Sequence, residues 1–186
     1  MNSPEYFIKQ LDATRELIEH CFDLMPPERV TLSPPHLNHP AVKDRSGLMN
    51  YIGEWSAIHV LIHIVVYEEL AVIPEMEKFV LNKDAKVDWN LVEKTEERDL
   101  ETLPNMSDLL KRFRVVRGKQ IELLEKIDNQ ILNKTTKETL WGNRFLSDVV
   151  NKTIQHTVSH GSKLYQKTMY WDAIWNSLEE SLKTQS

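Results

Sequence analysis

Cysteine is almost missing from this chain, and so are glycine and any block of positive charge. The single Cys21 excludes an intrachain disulfide and fits a reducing compartment, so a cytoplasmic location is the expectation. Five glycines and eight prolines in 186 residues are too few for a turn-rich fold. The net charge is −5 with both signs interspersed, which argues against nucleic acid as a partner. No window approaches ~18 uninterrupted apolar residues, and the opening M-N-S-P-E-Y-F-I-K-Q has no basic stretch followed by an apolar run. Neither a membrane span nor export is expected. Also absent are Gly-x-Ser-x-Gly, a phosphate loop, a dinucleotide fingerprint and any Glu-x-x-His, which disfavours hydrolases of the serine type, nucleotide enzymes and carboxylate di-iron bundles.

What is present is Leu, Glu, Lys and Ile over long stretches, the composition of a mostly helical protein. Its length suits one domain, 1–186, with a core that needs no staple. The informative residues are histidines. His156 and His160 stand four apart in T-I-Q-H-T-V-S-H-G-S-K-L-Y-Q, which stacks them on one helix face. Phe145, Val149 and Leu164 fall at helical spacings from His156, so the pair opens on an apolar strip. His59 and His63 form a second such pair. Seven histidines scattered at random would give only about a quarter of one four-apart pair. Converging neutral imidazoles are the donors of a transition-metal site, whereas a single buried histidine is more often a hydrogen-bonded core residue.

Along the chain, Ser3, Pro4 and Glu5 announce a first helix with Phe7, Leu11, Thr14, Ile18, Cys21 and Met25 on its apolar strip. Pro26–Pro27 stops it. On that strip Cys21 reads as a small core residue rather than a nucleophile. Pro26 to Asn50 carries five prolines and reads as a long extended connection, with His36 and His39 taken as surface residues. A second helix is expected from about Asn50 to Leu70, with Ile52, Trp55, His59, Ile62, His63, Val66 and Leu70 in one arc. Glu68 and Glu69 project away from His63 and are placed outside the site. Pro74 bends or restarts the helix. Asn82 to Asn105, with its cluster of Glu93, Glu96, Glu97, Asp99 and Glu101, reads as a solvated connection. The third long helix runs from about Ser107 to Asn129, its strip interrupted by Arg117 and Gln120, which either orient a substrate or keep their heads in water. A connection, Asn133 to Arg144, leads into the histidine helix. Tyr170, Trp171, Ile174, Trp175, Leu178 and Leu182 mark an additional C-terminal helix packing on the bundle.

The zincin spacing of His156 and His160 lacks the glutamate that acts as base, which disfavours an ordinary metalloprotease. Four long helices with two histidine-bearing faces suggest an all-α four-helix bundle with the site in its core. Here the chain resembles the DinB/YfiT-like metalloenzymes. Trp55 leads Trp-Ser-Ala-Ile-His-Val-Leu-Ile-His-Ile, and the family's metal histidine eight residues after this tryptophan matches His63. Its His-x-x-x-His matches His156 and His160, after a run like Phe145-Leu-Ser-Asp-Val-Val. The order of elements agrees over nearly the whole chain.

The resemblance implies an up-down-down-up bundle, often a homodimer, that binds zinc, nickel or a similar divalent ion through His63, His156 and His160. His59 is not in the shared pattern and is either a fourth ligand or a neighbour of the ligands. Some members resemble thiol S-transferases that use a low-molecular-weight thiol. Three imidazoles leave positions for water or a small-molecule substrate, the mark of a catalytic rather than a structural site. The sequence leaves three functions open: a thiol transferase, a metal-dependent hydrolase, and a non-catalytic metal-binding bundle. It places no carboxylate as a general base.

Overall fold

Side chains that can accept a backbone hydrogen bond stand at the head of most helices, and they set where each one starts. Ser3 Oγ accepts from the Tyr6 amide and opens α1, Pro4–Leu24. Ser56 Oγ accepts from the His59 amide and opens α2, Ala57–Val80. Asp88 caps α3, Trp89–Thr102; Asn105 caps α4, Met106–Glu125; and Asp128 caps the short α5, Asn129–Lys134. A hairpin of β1, Thr136–Thr139, and β2, Gly142–Phe145, then leads into α6, Leu146–Lys183. The computed structural model describes residues 2–33, 53–84 and 86–183, and only the backbone at 171, 173–175, 177–179 and 181–183. His36, His39 and Ile52 lie outside the described residues, as do the side chains of Trp171, Ile174, Trp175, Leu178 and Leu182.

The protein is all-α apart from that hairpin, and α1, α2, α4 and α6 pack on one another as its long helices. Their buried residues form two apolar layers. One holds Ile18 and Cys21 of α1, Leu61 and Val65 of α2, Phe113 of α4 and Leu164 of α6. The other holds Phe7 of α1, Met76 of α2, Leu124 of α4 and Val149 of α6. Traced by residue number, α1 and α6 pass from the second layer to the first, and α2 and α4 pass the opposite way. Between the layers every one of these helices contributes a buried polar residue: Thr14, Glu68, Arg117 with Gln120, and Thr153 with Thr157.

α2 is long and apolar enough by composition to cross a membrane, but it is mostly buried within the bundle. It is the core helix. It does not begin near Asn50 as its apolar arc suggested, because Gly53 (φ +70°) and the Ser56 cap hold Trp55 in the turn before it. It also runs on past Leu70. Pro74 has no N–H to donate, and the helix passes it by widening to a π turn over Glu68–Val72, in which the Ile73 amide reaches back to the Glu68 carbonyl.

Three further expectations are corrected. The segment 82–105 is not a solvated connection but carries the fourteen-residue α3. Its buried face is Val92, Thr95 and Asp99, too polar to show as an apolar strip. The expected connection 133–144 contains the end of α5 and most of the hairpin, and Phe145 ends β2 half-exposed instead of lying on the histidine helix. The tail expected as an additional helix continues α6 without a break, since no proline or glycine interrupts 162–183.

Candidate metal centre

His63 projects from the second turn of α2, about three turns before Pro74, and His156 and His160 from adjacent turns of α6. The packing of α2 on α6 brings the three rings together. One ring nitrogen of each lies within 4.8 Å of the others, and among the described residues these three form the group of ligand-type side chains that can hold a metal ion. His63 Nε2 is 3.2 Å from His156 Nε2. Two nitrogens on one tetrahedral zinc, at about 2.0–2.1 Å each, stand about 3.3–3.4 Å apart. The spacing therefore fits a shared ion.

The electrostatics point the same way. Burial, then the neighbouring His160 and His63 rings and the charges of Arg117 and Lys152, push His156 down to about 3. Burial, His63 and Lys163 push His160 down to about 4, against the pull of Glu96. Both are neutral at pH 7, as metal donors must be. The Nδ1 atoms of His156 and His160 are buried without a hydrogen-bond partner, so each ring still has donor or acceptor capacity to spend.

The sequence pattern assigns Glu96 to a solvated acidic cluster, with no role in the site. Its α3 carboxylate meets His63 Nδ1 with both oxygens, at 3.1 and 3.2 Å, and its Oε1 lies 3.6 Å from His59 Nε2. Burial raises its pKa, but hydrogen bonds from His59 and His63, and their charge when protonated, pull the carboxyl down to about 2. An ionised carboxylate only accepts, so His63 Nδ1 carries the proton and Nε2 presents its lone pair to the cluster. The signal that could have found Glu96 is its place beside Val92, Thr95 and Asp99 on a helix started by Asp88.

His59 lies outside the converging group. Its ring stacks on Trp55 at 4.2 Å, nearly parallel, while its Nε2 faces Glu96. Trp55 also lies parallel to His160 at 5.9 Å and edge-on to His63 at 5.0 Å. On the other side the Tyr67 ring is 4.4 Å from that of His156. Burial and the Glu68 charge push the Tyr67 phenol up to about 12, so it stays protonated. Trp89 of α3 stands 6.4 Å beyond Tyr67.

Glu68 and Glu69 are outside the cluster, as expected, but neither is idle. Glu69 pairs with Arg112 at 2.7 Å. Glu68 is fully buried, with Arg117 Nη2 donating to its Oε1 at 2.7 Å, the Thr157 hydroxyl at 2.8 Å and the Gln120 amide donating to its Oε2 at 3.1 Å. Arg117 and Gln120 therefore keep no heads in water; both are fully buried. Burial drives the Glu68 carboxyl up and the Arg117 guanidinium down, against their mutual attraction. Cys21 is the core thiol expected, pushed up to about 11 by burial. A separate cavity of about 370 Å³, lined by Phe22, Met25, Ile58, Leu103 and Met106 among others, touches none of the three histidines.

The family model of the DinB superfamily matches residues 10–163 of the chain, a span that holds all three histidines and Glu96. No curated protein and no solved structure matches it at a significant level.

Proposed function

The chain belongs to the DinB superfamily, and from that premise we propose that it is a metal-dependent enzyme whose divalent ion is held by His63, His156 and His160. The observation that carries the reading is the convergence of three imidazoles, two of them neutral at pH 7, from two helices. Imidazole donors suit zinc and nickel alike. A bound ion supplies Lewis acidity, lowering the pKa of a thiol or water that reaches it.

The chain's own residues favour a thiol as the group so activated. Among the described residues Glu96 is the carboxylate in contact with the cluster, and both its oxygens are taken up by His63 while one also faces His59. It orients a ring and is poorly placed to accept a proton from water. A low-molecular-weight thiol that ionises at the site needs no such base. In the transfer, the thiol would release its proton to solvent and sulfur would bond to an electrophilic carbon of the second substrate. That carbon's bond to the leaving group, or to the ring oxygen of an epoxide, would break with the electron pair going to that atom, which takes up a proton where it needs one. Trp55 and Tyr67 wall the cluster on two sides and limit the approach of water. The protonated Tyr67 phenol is a hydrogen-bond donor at neutral pH. A homodimer in a reducing cytosol completes the proposal. It is supported by the free, buried Cys21 and by an exposed stripe on α6 of Val158, Tyr165 and Met169.

The test is conjugate formation by zinc- or nickel-loaded protein with a panel of small thiols, a bacillithiol-like one included, and alkyl or epoxide electrophiles. At least one pair should react faster with wild type than with His63→Ala by more than about tenfold, the scale of a metal's contribution to a nucleophile. Equal rates across the panel contradict the transferase reading. Cleavage of ester or amide probes that vanishes in the same variant turns the reading to a hydrolase.

A further inference from the structure

The three histidines do not orient themselves. A neutral imidazole has two tautomers, and only one of them turns a given nitrogen's lone pair toward a common centre. His63 is the ring on which this choice bears most directly, because it is the only one of the three contributed by α2.

We propose that Glu96 is the positioning residue of the cluster: it fixes His63 in the Nδ1–H tautomer and keeps His59 out of the ligand set. The inference rests on the metal-binding reading of the site. Both oxygens of the Glu96 carboxylate lie within hydrogen-bond reach of His63 Nδ1, and the opposite nitrogen, Nε2, is the one 3.2 Å from His156. The same carboxylate faces His59 Nε2 at 3.6 Å, and Trp55 covers the His59 ring. His59 thus has its Nε2 turned to Glu96.

The helix that delivers Glu96 is anchored independently of it. One turn further along α3, Asp99 accepts from Arg112 of α4 at 2.6 Å and from Arg98 at 2.8 Å, and Arg112 also reaches Glu69 of α2 at 2.7 Å. Val92 and Thr95 bury the inner face of α3, and Asp88 caps its start. Removing the Glu96 carboxylate therefore leaves α3 in place and removes the partner of His63 and of His59. This makes α3, which packs against α2, part of the metal centre although it supplies no ligand.

The experiment compares wild type with Glu96→Ala, Glu96→Gln, His59→Ala and His63→Ala. Zinc affinity is measured by competition with a chromophoric chelator, and the His63 tautomer is read by long-range ¹H–¹⁵N correlation in chelator-treated protein. Wild type should show the Nδ1–H form. Glu96→Ala should admit the other form and weaken zinc binding about 10- to 100-fold, the cost usually met when the partner of a metal-binding histidine is lost. Glu96→Gln, whose amide oxygen still accepts from Nδ1–H, should keep the tautomer and lose less affinity than the alanine variant. His59→Ala should bind zinc nearly as wild type does. Wild-type affinity in Glu96→Ala beside a large loss in His63→Ala overturns the positioning role and leaves the metal reading standing. A loss in His59→Ala equal to that in His63→Ala makes His59 a ligand and overturns it as well. Unchanged affinity in His63→Ala instead removes the metal reading, and the tautomer spectrum alone then decides whether Glu96 sets the ring.

Discussion

A histidine placed beside two others in a half-buried cleft holds its proton poorly, and this gives the site a signature in stability. His156 is pushed down to about 3 and His160 to about 4, burial being the first cause in each, against about 6.5 in an unfolded chain. Below pH ~6.5 the unfolded state therefore binds protons that the native state refuses, and stability falls as pH drops through the window toward 4 and then 3. Glu96 behaves differently: its carboxyl is drawn down to about 2, so its contribution is intact above the unfolded carboxylate value of about 4.3 and is lost only below it. The interval from pH 7 to pH 5 lies above the Glu96 carboxyl, and the double histidine variant separates the two rings from other groups. Chelator-treated protein should show a falling urea midpoint across that interval, and His156→Ala/His160→Ala should flatten the fall. A midpoint that does not move in wild type would contradict the buried, neutral state of the two rings. The spacing rule alone exposed these histidines, since two four-apart pairs are visible in a bare string. It could not expose Glu96, which belongs to no histidine pair and shows only through its place beside Val92, Thr95 and Asp99 on α3.

Elements were legible in proportion to the apolar content of their buried faces. The strips of α1, α2, α4 and α6 are dominated by Phe, Leu, Ile and Val, and periodicity finds such faces readily. α3 escaped because its buried face includes Thr95 and Asp99, which no hydropathy pattern registers. The start of α2 was misplaced for a related reason: Trp55 has the right spacing for the strip but stands before the Ser56 cap, in the turn that lays it over His59 and His160. Arg117 and Gln120 interrupt the α4 strip because they answer Glu68, which the π turn of α2 begins with. Thr157, the neighbour of His156, joins the same network. Arg117→Met would leave the Glu68 carboxylate buried without its cation, at a cost of about 3–5 kcal/mol. Glu68→Gln/Arg117→Met should cost less than the sum of the two single changes, as groups in one network couple. Urea denaturation of the three variants checks both statements. A loss under about 1 kcal/mol for Arg117→Met, the range of an exposed pair, would show that water reaches the ion pair.

At the scale of the whole molecule, two apolar layers hold the long helices together and a polar layer lies between them. The histidine cluster sits at the edge of that middle, where α2 and α6 meet and α3 closes over His63 through Glu96. A bundle with this much core does not depend on an ion to fold, unlike a small zinc domain. The cluster is then free to be a working site, with three protein donors and room for a further ligand. Those three donors are the central claim, and metal content measures them most directly. Protein purified without a histidine tag, dialysed against a slight excess of zinc and then freed of loose ions, should carry about one zinc per chain by elemental analysis, the stoichiometry of a single three-histidine donor set. His156→Ala/His160→Ala should carry almost none while keeping its helical circular dichroism. Full zinc occupancy in that double variant would contradict the account.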